Sequence, residues 1–412
     1  MSAACRNCGA EITETFADLG ISPVSNAFVG AAKLTAGEMF YPLHAKVCGT
    51  CFLVQLDSTQ QADLHFHEDY VYFSSFSSSW LAHAKRYAEQ MIARFSLGAD
   101  SHVIEIASND GYLLRNFVER DIPCLGIEPT ANTADAARQL GIPTWEKFFG
   151  EATARELVAQ GLQADLMAAN NVFAHVPDIH DFVSGIALSL KPAGTMTIEF
   201  PHLLRQIEQC QFDTIYHEHY SYYSLLAVEH ILARHGLEVF DVDELETHGG
   251  SLRVYLRHRG GANSAPLGDG LAKVRADEAR AGLNRIETYR GFQQRVEQLK
   301  DGLIAFLLQA KRDNQVVAAY GAPAKGNTLL NYCGIKSDLV AYTVDASPHK
   351  QGKYLPGTRL PVYAPQRLRE TQPDLVLILP WNLAAEITAQ HDYIREWGGR
   401  FVVAVPQVEV LG

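Results

Sequence analysis

Two periodicities divide the chain. Residues 79–95, SWLAHAKRYAEQMIARF, repeat apolar positions at helical spacing and predict an amphipathic helix. From about residue 100, short apolar runs alternate with helical stretches. HVIEIA (102–107) leads into GYLLRNFVER, PCLGIEP (123–129) into a helix through 131–140, and ADLMAANNVF (164–173) and TMTIEF (195–200) follow. Such alternation predicts a parallel sheet covered on both faces. The pattern changes over 205–265, where QFDTIYHEHYSYYSL is dense in aromatics and histidines and SLRVYLRH reads as another strand. Residues 270–310 keep a polar face at helical spacing and predict one long connecting helix. A second alternation then runs through NQVVAAYGAPAKGNTLLNYC, LVAYTVDASP, DLVLILPWN and RFVVAVPQ. It predicts four strands of a second doubly wound unit. Residues 1–60 carry only brief apolar runs such as FLVQL, and predict a small module held by something other than its own core.

The length, 412 residues, suits two or three domains at about 150 residues each. We divide the chain at 1–65, 66–265 and 266–412, with an α/β fold in the second and third parts. Hydrophobic residues make up 47% and charged residues 20%, so real cores can form. Lys plus Arg number 35 against 47 Asp plus Glu, a formal charge of -12. A chain this acidic lacks the basic footprint of a general nucleic-acid or anionic-membrane binder, although one local phosphate pocket needs no such footprint. No run of eighteen apolar residues predicts a membrane span, and MSAACRNCGA lacks the pattern of a secretory signal. Seven cysteines at low density do not resemble a disulfide framework, so the chain reads as cytoplasmic with reduced thiols.

Four of those cysteines form two C-x-x-C pairs, Cys5 with Cys8 and Cys48 with Cys51. Each tight turn aims two sulfurs at one point, and two turns make a tetrahedral cage suited to zinc. Gly9 and Gly49 stand where such turns often need positive φ. Four sulfur ligands close the shell, so the zinc is structural and holds no reactive water.

The strand HVIEIA runs into Ser108-Asn109-Asp110-Gly111, with Glu105 near its end. Doubly wound sheets bind ligands outside the carboxyl ends of their strands. About twenty residues on, GIEP places Glu128 where an acid accepts from two ribose hydroxyls. Asn170 and Asn171 end the third run, where their amides can meet an adenine or the amino-acid end of a cofactor. There is no G-x-G-x-x-G, which disfavours a dinucleotide such as NAD and favours a cofactor without phosphates. S-adenosylmethionine fits: its ribose wants an acid and its sulfonium is cationic. An incidental acid in an ordinary βαβ unit is the plain alternative.

Taken together, the cysteine quartet, EIASNDG, GIEP, NNVFAHV, DTIYHEHYSYYSL and GAPAKGNTLLN resemble the S-adenosylmethionine-dependent sugar C-methyltransferases. The resemblance covers nearly the whole chain. It implies a zinc-binding N-terminal domain, a central class I (Rossmann-like) methyltransferase domain and a C-terminal Rossmann-like domain that helps hold a nucleotide-sugar. It also implies a nucleotide-linked 4-keto-deoxysugar as substrate, with C-3' favoured because the best-known members act there. By motif, Tyr216, Glu218 and His219 fall at the family's active-site positions, as does His175, and Tyr70 matches the tyrosine that reaches the sugar.

Methylating a carbon beside a ketone needs a base for the α-proton and a donor for the enolate oxygen. His219 is the favoured base, because imidazole titrates near neutrality, and Tyr216 competes with it. Glu218 would orient the base or bind sugar, and His175 would donate to the C-4 oxygen. An extended backbone would turn Tyr216 and Glu218 away from His217 and His219, so a turn is expected here. The histidines of HEH stand two apart, unlike H-E-x-x-H, which argues against a catalytic metal.

In AAYGAPAKGNTLLN, a glycine loop opens a helix whose amides can bind phosphate, with Lys325 adding charge. Asn327 stands where a P-loop needs lysine, so nucleotide hydrolysis is not expected. Lys325, Asn327, His349, Lys350 and Lys353 are the candidates for holding the substrate's diphosphate end, against a plain solvated loop around 349–353. The rival readings are O- or N-methylation of a similar sugar, a non-catalytic zinc-ribbon module that binds nucleotide-sugars, and an NAD-linked sugar reductase. The nucleotide base and the oligomeric state are left open.

Overall fold

The computed structural model describes residues 3–57, 73–76 and 78–411. Its centre is a seven-stranded sheet in the order Leu237–Leu245, Ser251–His258, Leu190–Pro201, Ala164–Asn170, Val103–Ile106, Cys124–Ile127, Thr144–Trp145. The last five run parallel; Ser251–His258 is antiparallel to both its neighbours. This is the Rossmann-like class I methyltransferase sheet that the resemblance implies. Val103–Ile106 is buried at all four positions, as a strand covered on both faces must be. The helix Ser78–Phe95 packs against this sheet through Ala84, Tyr87, Ala88 and Met91, at helical spacing on one face.

The N-terminal residues form a four-stranded antiparallel sheet, ordered Ser221–Tyr222, Val54–Leu56, Tyr41–Val47, Glu14–Ser22. The expectation of a module without a core is corrected here. Leu43, Ala45 and Val47 alternate inward and join Phe16, Ala17 and Val54 against the helix Phe292–Arg312. That helix buries Phe292, Val296, Leu299, Leu303, Leu307 and Ala310 along one stripe, and the Phe16 and Phe292 rings stack at 4.2 Å. The core was illegible locally because its other half lies some 280 residues further along the chain. One edge strand of this sheet, Ser221–Tyr222, belongs to the histidine-rich segment and pairs Ser221 with Gln55.

The single long helix expected over 270–310 is two long helices, Asp269–Ala281 and Phe292–Arg312, with the four-residue helix Glu287–Arg290 between them. Asp269–Ala281 stops at Gly282, whose φ of 78° is left-handed, and Leu283 N–H returns to the Glu278 carbonyl at 3.0 Å. Glycine permits that C-terminal stop, and buried Leu283 supplies the apolar contact that goes with it. Asp269–Ala281 packs beside Leu237–Leu245, and its buried Glu278 caps the helix Leu225–Ala233 at the N–H groups of Leu225 (2.6 Å) and Leu226 (2.9 Å).

The C-terminal sheet has six strands: Val362–Tyr363, Thr343–Val344, Val317–Tyr320, Leu375–Ile378, Arg400–Val403 and Glu409–Leu411. All neighbours are parallel except the last pair. The four expected strands form its centre; Val362–Tyr363 and Glu409–Leu411 were too short to register as periodic runs. The N-terminal and C-terminal units are joined directly, by Lys353–Tyr354 pairing with Val29–Gly30 and by Arg359 on Glu38 at 2.9 Å.

Phe292→Ala removes half of the stacked pair beneath the N-terminal sheet. It should cost about 3–5 kcal/mol, read as a lower urea midpoint at unchanged slope. A loss under about 1 kcal/mol would show that the sheet does not rely on this helix.

Candidate active site and metal centre

A cavity of about 550 Å³ opens at the carboxyl ends of the parallel strands. Its first wall is the loop after Val103–Ile106. Ala107 (φ 55°), Asn109 (φ 49°) and Gly111 (φ 79°) are all left-handed, a strained backbone for the first two. The loop is held by Glu128, which accepts the Asn109 N–H at 2.9 Å and the Thr130 N–H at 2.9 Å, and also bonds the Thr130 hydroxyl. Burial pushes the Glu128 carboxyl above its ordinary range, against the pull of these bonds.

Asn109, Glu128, Asn170 and Asn171 all line the cavity. Glu105, Ser108 and Gly111 do not. Glu105 lies within the strand, fully buried, and burial pushes its carboxyl well up, with the Asp110 and Glu128 charges adding to the effect. Ser108 packs back over Gly126, where an added Cβ would meet Ser108 Oγ at 2.4 Å. Gly111 faces Ile142, whose Cδ1 would lie 2.3 Å from a Cβ, so its role is to let loop and neighbouring helix touch. Sequence reasoning missed Trp80, Tyr112, Phe148, Phe149 and Asp178, which complete this wall. EKFF follows a two-residue strand, too short to flag a strand end. The donor set suits S-adenosylmethionine. Glu128 is an acid where a ribose would sit, and Asn170 Oδ1 and Asn171 Oδ1 are buried acceptors with no hydrogen-bond partner among the described residues.

The opposite wall comes from the histidine-rich segment. Phe212–Thr214 is a single turn of 3-10 helix, and the chain turns again as the His219 N–H meets the Tyr216 carbonyl at 2.9 Å. The turn puts Tyr216, Glu218 and His219 on the cavity together. His217 alone faces away, onto the Pro42 carbonyl at 3.2 Å. His219 Nδ1–H donates to the Thr214 carbonyl at 3.0 Å, which leaves Nε2 to accept the Tyr216 hydroxyl at 2.7 Å. Burial, then the nearby His175, hold His219 well below the usual imidazole range, so it is neutral at pH 7. The His175 ring stands edge-on to His219 at 4.7 Å. Glu218 is pushed up to about 7 by burial, and Asn26 Nδ2 bridges its two oxygens at 2.8 and 3.0 Å. Tyr70 lies outside the described residues.

His248 is a third cavity histidine that sequence reasoning missed. It sits at φ 55° before Gly249 and Gly250, contacts Asn171 Nδ2 through Nε2 at 3.1 Å, and is pulled down to about 4 by burial. The paired glycines of THGGS were the available signal for a sharp turn.

From the C-terminal unit, Pro323, Ala324, Lys325 and Lys350 reach the cavity. Lys325 Nζ donates to Asn382 at 2.7 Å and lies 4.4 Å from the centre of the Trp381 ring. Burial lowers its pKa, and buried Asp213, which accepts the Trp381 indole N–H at 2.7 Å, opposes that shift. The other three C-terminal candidates are off the cavity. Asn327 is buried and ties the Ser25 carbonyl at 2.6 Å. His349 stacks on Phe73 and Phe76 at 6.1 and 6.0 Å. Lys353 is taken up in the short strand paired with Gly30, and Lys350, three residues earlier, points to the site instead.

The cysteine quartet converges. The sulfurs of Cys5, Cys8, Cys48 and Cys51 lie within 4.8 Å of one another, with Cys5–Cys51 at 3.6 Å and Cys8–Cys48 at 3.5 Å. Sulfurs held about 2.3 Å from one tetrahedral ion stand about 3.8 Å apart, so the cage fits zinc. The left-handed residue after each knuckle is Gly9 (φ 77°) in the first and Phe52 (φ 57°) in the second, which corrects the expectation for Gly49.

Family models match along the chain in order: a zinc binding domain over 5–66, a methyltransferase domain over 80–242 and a C-methyltransferase C-terminal domain over 246–406. C-methyltransferase NovU of Streptomyces niveus is 32% identical over 407 residues, spanning 99% of this chain and 96% of that protein. This chain belongs to the S-adenosylmethionine-dependent C-methyltransferases. As a member of that family it is a methyltransferase with a cofactor-binding Rossmann-like domain and a four-cysteine zinc-binding domain. Solved structures overlap it less. Magnesium protoporphyrin IX methyltransferase of Synechocystis PCC 6803 with bound SAM is 12% identical, covering 43% of this chain and 78% of its own, at a TM-score of 0.33. The putative methyltransferase complex with Haloferax volcanii Trm112 is 15% identical, covering 44% and 96%, at 0.34. Scores this low add nothing to the sheet order. Among the described residues, no helix of this C-methyltransferase is long and apolar enough to cross a membrane.

Glu128→Ala should weaken S-adenosylmethionine binding at least tenfold in calorimetry. Hydrogen bonds to a charged group are worth about 1.5–3 kcal/mol each, and about 1.4 kcal/mol is a factor of ten. An unchanged Kd would remove Glu128 from the cofactor site.

Proposed function

We propose that this C-methyltransferase moves a methyl group from S-adenosylmethionine to the carbon α to the 4-keto group of a nucleotide-linked deoxysugar, at C-3', through an enolate. The Tyr216–His219 pair carries the reading. Because His219 Nδ1 is committed to the Thr214 carbonyl and Nε2 to the phenol, the atom the pair offers a substrate is the Tyr216 oxygen. The two act as one base: Tyr216 takes the α-proton from carbon while its own proton passes to His219 Nε2. A neutral imidazole is required for that transfer, and burial supplies it.

The electrons left on carbon delocalise to the C-4 oxygen, where His175 and Lys325 are the donors at hand. S-adenosylmethionine supplies an electrophilic methyl on a sulfonium, which leaves as a neutral thioether when the carbon–carbon bond forms. Glu218, held by Asn26, accepts from a sugar hydroxyl, and Lys350 faces the diphosphate. NovU, a C-methyltransferase by name, supports carbon as the acceptor.

The decisive experiment is mass spectrometry of nucleotide-linked 4-keto-deoxysugars incubated with the enzyme and S-adenosylmethionine in heavy water, each with and without prior reduction of the ketone. Gain of one methyl only when the ketone is present is the expected result. Methylation that survives ketone reduction would instead assign an oxygen or nitrogen acceptor. Tyr216→Phe should lower kcat by about 10²–10⁴, the usual worth of a positioned base, with cofactor affinity unchanged.

Two groups should shape the pH profile. His219 must be unprotonated, so kcat should hold down to pH 6.5 and fall only below it. Glu218 is protonated below about 7, so kcat/KM should fall already as pH drops through 7. Glu218→Gln should abolish that second limb and keep the first; loss of both would make Glu218 the titrating group in the complex.

A further inference from the structure

The zinc knuckle and the catalytic turn are connected by an unbroken set of hydrogen bonds. Gln55 Nε2 donates to Cys5 Sγ at 3.2 Å, and Gln55 Oε1 accepts the Arg6 backbone N–H at 2.9 Å. The Arg6 guanidinium then forks: Nη1 donates to the Tyr220 carbonyl and Nη2 to the Leu56 carbonyl, each at 2.8 Å. Tyr220 follows His219 directly. Its carbonyl also accepts the Leu56 N–H at 3.0 Å, and its own N–H donates to the Ala174 carbonyl at 2.7 Å, one residue before His175.

We propose that Arg6 is a positioning residue that locks the Tyr216–His219 turn to the zinc knuckle, so that metal occupancy sets the geometry of the base. The inference rests on the reading of Tyr216 and His219 given above. Arginine suits the task because its planar, permanently charged fork can satisfy two carbonyls at once, whereas lysine offers a single point of charge. The metal suits it because a bound thiolate is fixed in place and accepts more strongly from Gln55 than a mobile thiol does. Without the ion, Cys5 is released, Gln55 loses its anchor, and the Arg6 backbone is no longer oriented toward Tyr220.

The test uses full-length, zinc-loaded protein as wild type, Arg6→Met, Arg6→Lys, Gln55→Leu and Tyr216→Phe. Zinc content, S-adenosylmethionine Kd, kcat, KM and amide exchange over residues 214–224 are measured on each, and exchange is repeated on chelated wild type. Arg6→Met should keep its zinc and its cofactor affinity and lose at least 30-fold in kcat, with KM within threefold. Arg6→Lys should recover part of that loss, and Gln55→Leu should fall between it and wild type. Exchange over 214–224 should quicken at least tenfold in Arg6→Met and in chelated wild type. Wild-type kcat in Arg6→Met beside an inactive Tyr216→Phe would overturn the proposal, as would unchanged exchange after zinc removal. Activity persisting in Tyr216→Phe would overturn the base assignment instead, and the exchange data would still decide the link to the metal.

Discussion

The backbone of Tyr220 is fixed at both ends, and the shape of the cavity's histidine-rich wall depends on it. The carbonyl takes two donors from the N-terminal unit and the amide gives to the loop after Ala164–Asn170. A buried backbone group left without its partner costs about 1–3 kcal/mol, so the turn before Tyr220 cannot drift without breaking bonds to two units. The turn has little of its own to hold it: Tyr216 to His219 contains no glycine and belongs to no helix or strand. Its contacts are instead borrowed. Pro42 receives His217, Asn26 holds Glu218, and Thr328 of the C-terminal unit donates to the Ile215 carbonyl at 3.0 Å. Three units that look separable along the chain therefore meet at one tetrapeptide.

The cavity mixes both signs of charge: His175, His219, His248, Lys325 and Lys350 share it with Glu128, Asp178, Asp181 and Glu218. Desolvation decides how these groups behave. It keeps His219 and His248 neutral, and it lowers Lys325, whose charge is supported by Asp213 and by the Trp381 ring. Asp213 is itself pushed up to about 6 by burial, with Lys325 holding it down, so each member of this pair supports the other's charge. Bases kept uncharged in a poorly hydrated space accept protons most readily when negative charge develops beside them.

Legibility in the sequence followed the range of the interaction. The cysteine quartet could be read because each C-x-x-C turn builds half the cage from four consecutive residues. Glu128, Asn109, Asn170 and Asn171 line the cavity as expected because strand ends in a parallel sheet fall on one edge whatever the rest of the chain does. Glu105, Ser108 and Gly111 were grouped with them by proximity alone. Along a strand and its following turn, successive side chains point to different sides, and these three serve packing. In the loop around 349–353, which has no periodicity, Lys350 reaches the cavity and Lys353 does not. Asn26 and His248 were invisible for another reason. Asn26 matters through Glu218, 192 residues away, and His248 through a turn of three left-handed residues. The core of the N-terminal sheet was missed because the chain supplies its second layer only at Phe292–Arg312.

Both ends of the cavity are built on backbone that is costly to hold. At the strand-end wall Ala107, Asn109 and Asn171 are left-handed without being glycine, and at the histidine-rich wall His248 is too. Each such residue costs about 1–3 kcal/mol and persists only where its surroundings leave no alternative. The surroundings here are tight. A Cβ at Gly249 would lie 2.4 Å from Trp381, and one at Gly250 would lie 2.7 Å from Arg205. Trp381 thus does two things at once: it fixes the turn that carries His248, and it supports the Lys325 ammonium through its ring. Its indole N–H binds Asp213 at the head of the histidine-rich segment. Through one side chain the C-terminal unit bears on the strained histidine, the buried lysine and the start of the histidine-rich turn, so the cavity is complete only when all three units are folded against one another.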